Sequence, residues 1–213
     1  AASDVYKRQG LVNRIAAGEV IERPASAIKE LVENSIDAGA TRIDVVMREG
    51  GRTLMTVTDN GYGMSKNELM LSIERHATSK LPDDNLTRIN TLGFRGEALP
   101  SIASVSRMEI ASRSLNKENA WKIIIEGGLA AQPVPAAIKL GTKVEIRDLF
   151  YATPARLKFL KTVRTEFNLT ADVIRKLAMA NPQIAFTLGD GDRTNIRLNV
   201  APVSYTHLRA HET

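Results

Sequence analysis

Apolar positions between Pro24 and Gly39 recur at helical spacing, with Ile28, Leu31, Val32, Ser35 and Ile36 falling on one stripe. Pro24 suits the first turn of that helix and Gly39 its stop. The β-rich runs Ile43–Met47 and Leu54–Thr58 meet across Gly50-Gly51, which predicts a hairpin. Ser65, with Glu68 three residues on, forms a capping box and predicts a helix through about Arg75. A further helix is expected over Glu97–Ser104. Strands are expected over Met108–Arg113, Trp121–Glu126 and Lys143–Asp148. Thr153 and Pro154 open another helix, and Leu169–Ala180 forms one that stops before Pro182. Ala185–Leu188 and Asn195–Leu198 flank Gly189-Asp190-Gly191-Asp192, which predicts a last hairpin.

Helices and strands are mixed without strict βαβ alternation. The expected class is therefore α+β, a two-layer sandwich of a mixed β-sheet with helices on one face. The 213 residues are 43% hydrophobic and 25% charged, enough for one sizeable core in an ordinary globular chain. The strings 1–9 and 203–213 share no periodicity with their neighbours and resemble translated adapter sequence. They are expected to be non-native tails around one domain at 10–202. No apolar run has spanning length, so no membrane is expected as a partner. Cysteine is absent and histidine occurs three times, which leaves no basis for thiolate or histidine metal centres. A net charge of +5 permits a polyanionic partner without requiring one.

Three clusters carry candidate chemistry. Glu30, Asn34 and Asp37 follow one ridge of the first helix, opposite its apolar stripe. Such residues are commonly a solvated face, yet a carboxylate one turn from a carboxamide also suits water activation beside a hard cation. Asp59-Asn60-Gly61-Tyr62-Gly63-Met64 follows a strand; it is either a simple turn or a loop where Asp59 accepts a bond from an exocyclic amine. Gly93-Phe94-Arg95-Gly96-Glu97-Ala98-Leu99 places glycines before a helix, an arrangement that suits anions, without the Walker pattern. His76–Lys80 adds hydroxyls and a lysine. Arg156, Lys158, Lys161 and Arg164 make a basic stretch beside Phe159 and Leu160, either a solvated face or a contact for a nucleic-acid backbone.

The order of these clusters resembles the GHKL ATPases. The strings Ile15–Pro24, Lys29–Gly39, His76–Lys80, Gly93–Leu99, Asp148–Arg156 and Thr165–Phe167 closely resemble the MutL-type DNA mismatch repair family, over about residues 11–202. The resemblance implies the Bergerat ATPase fold, with ATP as ligand and Mg²⁺ as cofactor. By resemblance Glu30 is the general base, Asn34 the Mg²⁺ ligand, and Asp59 the adenine contact, with Gly63 and Thr142 beside the base. Thr78, Ser79 and Lys80 would border a phosphate lid formed by Gly93, Phe94, Arg95 and Gly96. Implied partners are DNA, mostly through its backbone, a mismatch-recognition protein, downstream repair enzymes, and a second copy or a paralogue on ATP binding. The implied location is the bacterial cytoplasm, at the nucleoid, or a eukaryotic nucleus. The family continues into a second α/β domain that supplies a lysine to the terminal phosphate and lies beyond this chain; slow hydrolysis by the chain alone is expected. Two alternatives stand beside this: a DNA- or protein-binding module with a structural nucleotide, and another GHKL ATPase of gyrase type. The Gly93–Leu99 and Ala152–Arg156 strings do not resemble the latter.

Overall fold

The computed structural model describes residues 21–74 and 97–200. Helix α1 (Pro24–Asp37) leads into the hairpin of β1 (Arg42–Arg48) and β2 (Leu54–Asp59), followed by α2 (Lys66–Leu71) and α3 (Ala98–Ser104). Strands β3 (Arg107–Arg113), β4 (Ala120–Glu126), β5 (Leu129–Ala130), β6 (Val134–Ala136) and β7 (Gly141–Arg147) come next. Helices α4 (Pro154–Phe159) and α5 (Val163–Ala180) then precede the hairpin of β8 (Ala185–Gly189) and β9 (Thr194–Leu198). Among the described residues the sheet runs β5-β4-β3-β7-β2-β1-β8-β9, with β6 also paired to β4. The β1–β8 pair is parallel and the others antiparallel. The sheet is therefore mixed, as the sequence pattern predicts.

Alternation along each strand sends one set of side chains to the helical layer. Register then lines these up in rows across the sheet. Leu188, Val45, Val57, Val144, Ile110 and Ile123 form one row. Met47, Met55, Ile146, Met108 and Ile125 form the next. Against them α1 buries Ile28, Leu31 and Val32, α3 buries Ile102, and α5 buries Ala171 and Ile174. The opposite face of the sheet carries charge, including the pairs Lys122–Glu109 and Lys143–Glu145, each at 3.1 Å. Such half-exposed pairs add little stability but keep that face wetted.

Three local outcomes depart from the pattern. Helix α2 ends at Leu71 rather than near Arg75. Ser72 turns its hydroxyl back to the Leu69 carbonyl (2.8 Å), a local bond that competes with further helix, and Leu71 is exposed. Helix α5 begins at Val163, six residues before Leu169, because the Thr162 hydroxyl accepts from the Thr165 amide (3.2 Å). Its added turns hold Glu166, which is fully buried and accepts from the Lys161 amide at 2.9 Å. A buried glutamate breaks the apolar stripe that would mark those turns. Strands β5 and β6 are too short to leave a period.

The Ser65 cap is exposed and local, with Ser65 N donating to Glu68 Oε2 at 2.7 Å. Ser65→Ala should lower unfolding free energy by about 1 kcal/mol, and Ile28→Ala, from a fully buried site, by about 3 kcal/mol. Urea unfolding of the two variants measures both; equal losses would contradict the division between exposed cap and core.

Candidate functional site

The third inward row of the sheet begins apolar, at Phe186 and Ile43, then turns polar at Asp59, Thr142 and Ser112 before Trp121. Asp59, the last residue of β2, is 9% exposed. Its Oδ2 accepts from the Ser35 hydroxyl at 2.9 Å. Its Oδ1 accepts from the backbone amides of Gly61 (2.9 Å) and Thr142 (3.2 Å). Burial pushes the Asp59 carboxyl above the usual range, while the bonds from Gly61, Ser35 and Thr142 favour the ionised form. No lysine, arginine or histidine pairs with it among the described residues. A buried carboxylate held by neutral donors alone, with acceptor capacity to spare, suits a further neutral N–H donor.

The loop after Asp59 is fixed from several sides. Asn60 Oδ1 accepts from the amides of Thr41 and Arg42, both at 2.9 Å. Tyr62 N donates to the Ala38 carbonyl (3.0 Å), and Leu115 N donates to the Tyr62 carbonyl (2.8 Å). Gly63 has φ +64, and a Cβ there would lie 2.0 Å from the Arg113 carbonyl oxygen. Gly141 has φ +116, and its Cβ would lie 2.1 Å from the Asp59 carbonyl oxygen. Only glycine meets both demands at either position. Between the two glycines, Ser112 is wholly buried and touches Met64 N, the Gly141 carbonyl and Thr142 Oγ1.

Helix α1 brings in the remaining candidates. Glu30, Asn34 and Asp37 are half-buried rather than fully solvated. Ser35, immediately after Asn34, bonds Asp59 and so sets the rotation of the helix over β2. Glu30 then lies about 7.5 Å along the axis from Ser35, toward the helix start. Lys29 Nζ sits 2.7 Å from Glu33 Oε1 and 4.0 Å from Glu30 Oε1, so its closer partner is Glu33. The structure thus gathers Asp59, Gly63 and Thr142 into one network and places Asn34 and Glu30 on the helix that enters it. Thr78, Ser79, Lys80, Gly93, Phe94, Arg95 and Gly96 lie outside the described residues.

Sequence reasoning missed Ser35 and Ser112 as site members. Each leaves a signal: Ser35 is the polar member of an otherwise apolar stripe, and Ser112 occupies the inward slot after Met108 and Ile110. Within the basic stretch, Arg156 is half-buried; its Nη1 donates to the Ile21 carbonyl (3.0 Å) and its guanidinium lies over Phe150. Lys158, Lys161 and Arg164 remain exposed. A cavity of about 430 Å³ between Arg52, Arg107, Asp148, Leu149, Tyr151 and Leu157 sits at the opposite end of β2, β3 and β7 from Asp59. Its cations are engaged, Arg107 with Asp148 and Arg52 with the Lys161 carbonyl.

Comparison with known proteins places this geometry. A family model for histidine kinase-, DNA gyrase B- and HSP90-like ATPases matches residues 21–132. The chain is similar to the DNA mismatch repair protein MutL of Paramagnetospirillum magneticum, 66% identical over 86% of this chain and 30% of that protein. It is 62% identical to MutL of Rhodospirillum rubrum, over 90% of this chain and 30% of that protein. The chain therefore spans about 30% of the length of these curated relatives. Among solved structures, the MutL ATPase domain of Aquifex aeolicus complexed with ADP matches with TM-score 0.72 and 33% identity, over 85% of this chain and 65% of that one. The chain belongs to the histidine kinase-, DNA gyrase B- and HSP90-like ATPase family, and within it to the MutL type.

Proposed function

We propose that this chain is the ATP-binding and ATP-hydrolysing N-terminal domain of a MutL-type DNA mismatch repair protein, with its nucleotide seated between α1 and the Asp59 end of the sheet. The observation that carries this reading is the buried Asp59 carboxylate. It is tied through Ser35 to the helix that bears Glu30 and Asn34, and it retains room for one more donor. The related MutL domain complexed with ADP supports the same choice of ligand.

In this reading Asp59 accepts from the adenine amino group, and Gly63 and Thr142 border the base. Glu30, displaced toward the start of α1, acts as general base and takes a proton from the attacking water. Asn34 holds Mg²⁺ through its side-chain oxygen. That choice fits the donor set: Mg²⁺ takes few protein ligands when substrate phosphates and waters complete its shell, and a carboxamide oxygen is a hard donor. When bound, Mg²⁺ neutralises charge on the phosphates. Thr78, Ser79, Lys80 and Gly93–Gly96 remain the proposed phosphate-side residues. Slow turnover by the 213 residues alone belongs to the proposal, since most of each matched relative lies outside the aligned region.

For the whole protein we propose ATP-dependent pairing with a second copy or a paralogue, and partnership with a mismatch-recognition protein and downstream repair enzymes. DNA is proposed as a backbone-level partner, with Lys158, Lys161 and Arg164 as its exposed contacts. No helix among the described residues is long and apolar enough to cross a membrane.

Glu30→Ala should keep ATP binding within about twofold and reduce turnover at least about a hundredfold. Asn34→Ala should weaken binding only when Mg²⁺ is present. Single-turnover hydrolysis and equilibrium binding test both, and full turnover in Glu30→Ala would remove that residue from its role. Affinity for ATP should also fall as pH drops through a midpoint above the ordinary Asp value of about 3.9, because the adenine amine needs the ionised Asp59. Stability moves the other way: a raised folded pKa gives a contribution present at low pH and lost as pH rises through that value. Asp59→Asn should flatten both profiles. For DNA, reversing the charges of Lys158, Lys161 and Arg164 should reduce the slope of log affinity against log salt by about 0.9 per lost phosphate contact; an unchanged slope would place the DNA surface elsewhere.

A further inference from the structure

We propose that Asn60–Gly61 is a latent deamidation site, held shut by the hydrogen bonds of the folded loop, whose conversion dismantles the support of Asp59. The consequence for ATP rests on the proposed nucleotide reading; the chemistry at Asn60 does not.

An asparagine followed by glycine occurs once in the 213 residues, at Asn60–Gly61. Glycine has no side chain to shield its amide nitrogen, so that nitrogen can reach the carboxamide carbon before it. Packing requires the glycine here, because a Cβ on Gly61 would lie 2.5 Å from the Ala38 carbonyl oxygen at the end of α1. In the reaction Gly61 N gives up its proton and attacks Asn60 Cγ. The N–Cγ bond forms, the Cγ–Nδ2 bond breaks, and the carboxamide nitrogen leaves as ammonia with that proton. Water then opens the cyclic imide. Opening at Cγ leaves aspartate; opening at the Asn60 backbone carbonyl leaves isoaspartate, the usual major product, with a main chain one carbon longer. Either product carries an added negative charge.

Exclusion of water is not the protection, since Asn60 is exposed. The protection lies in bonds. Asn60 Oδ1 accepts from the amides of Thr41 and Arg42, and Nδ2 donates to Thr41 Oγ1 at 2.8 Å. Both ends of the carboxamide are thus tied to the start of β1, and it is not free to turn onto the neighbouring nitrogen. The attacking group is held too: Gly61 N donates to Asp59 Oδ1 at 2.9 Å, and the next amide, Tyr62 N, donates to the Ala38 carbonyl. Reaction therefore waits for the loop to open locally. Three side-chain bonds at their ordinary net worth make that opening rarer by about a hundredfold. The isoaspartyl chain cannot close again in the same way. Its longer main chain displaces Gly61 N from Asp59 Oδ1, and its new carboxylate stands beside Asp59 without the N–H that met Thr41. Asp59, buried and held by neutral donors, loses one of them.

The test ages the 213-residue chain at mildly alkaline pH, folded and in denaturant, and follows loss of ammonia at Asn60 by peptide mass mapping. The folded chain should react at least about a hundredfold more slowly than the unfolded one; equal rates overturn the lock. Thr41→Val removes one of the three bonds at an exposed position. It should speed the folded reaction roughly fivefold and leave the unfolded rate alone. An unchanged folded rate in that variant overturns the assignment of the lock to these bonds, and the wild-type comparison stands whether or not the variant folds. The deamidated fraction, separated by its added charge, should bind ATP with Mg²⁺ at least about tenfold more weakly than the unaged chain; equal affinity overturns the link to Asp59. Failure of the nucleotide reading looks different: an unaged chain that binds no ATP removes that reading and leaves the two rate comparisons intact.

Discussion

Moving a carboxylate out of water without a cation beside it costs several kcal/mol unless hydrogen bonds replace the lost hydration. Asp59 is in that position, and its three donors come from three separate parts of the chain: Ser35 in α1, Gly61 in the following loop and Thr142 in β7. Each of them must arrive together for the carboxylate to be tolerated. The helix, the loop and the strand are thus brought into mutual register by one charge. The same compensation is incomplete by about one acceptor site, and that shortfall is what a ligand can supply. In the proposed reading, structure and binding draw on a single electrostatic demand.

The site is continuous with the hydrophobic core. The row of Asp59, Thr142 and Ser112 lies one step along the strands from the row of Val57, Val144 and Ile110. Those valines and the isoleucine belong to one buried core cluster, with α1 over β2 and α3 against β3, so the polar row inherits its geometry from apolar packing. Rigid placement of this kind suits recognition of a flat base edge, where small errors in donor position are expensive. The charged outer face of the same sheet has no such constraint. Its ion pairs can shift without moving any part of the site.

Much of the fold was legible because periodicity reports burial directly. The stripe of Ile28, Leu31 and Val32, the β1–β2 hairpin and the final hairpin at Gly189–Asp192 all follow from it. Extra turns of α5 escaped notice because Glu166 is a buried charge inside them, and periodicity treats a glutamate as surface. In the site, Asp59 and Gly63 could be named from their string, but that Asp59 is buried could not. Ser35 and Ser112 were visible only as polar residues at inward positions. What makes them matter is a contact across the sheet or between layers, Ser35 with Asp59 and Ser112 with Thr142. Single-chain spacing does not encode such contacts. Glu30 and Asn34 carry the opposite lesson: their spacing was plain, and their half-burial separates them from an ordinary solvated face.

The parallel seam between β1 and β8 has a consequence for how the molecule assembles. Thr187 Oγ1 reaches Asp44 Oδ1 across 143 residues of sequence, while β1 meets β2 through a tight turn. Closing so long a loop is entropically late relative to closing a hairpin. The strands that frame Asp59 are β2 and β7, with β1 beside them, and none of these needs β8 to find its neighbour. During synthesis the elements around the carboxylate can therefore dock while the final hairpin is still being made. That hairpin then covers the free edge of β1 and makes β9 the terminal strand on that side of the sheet.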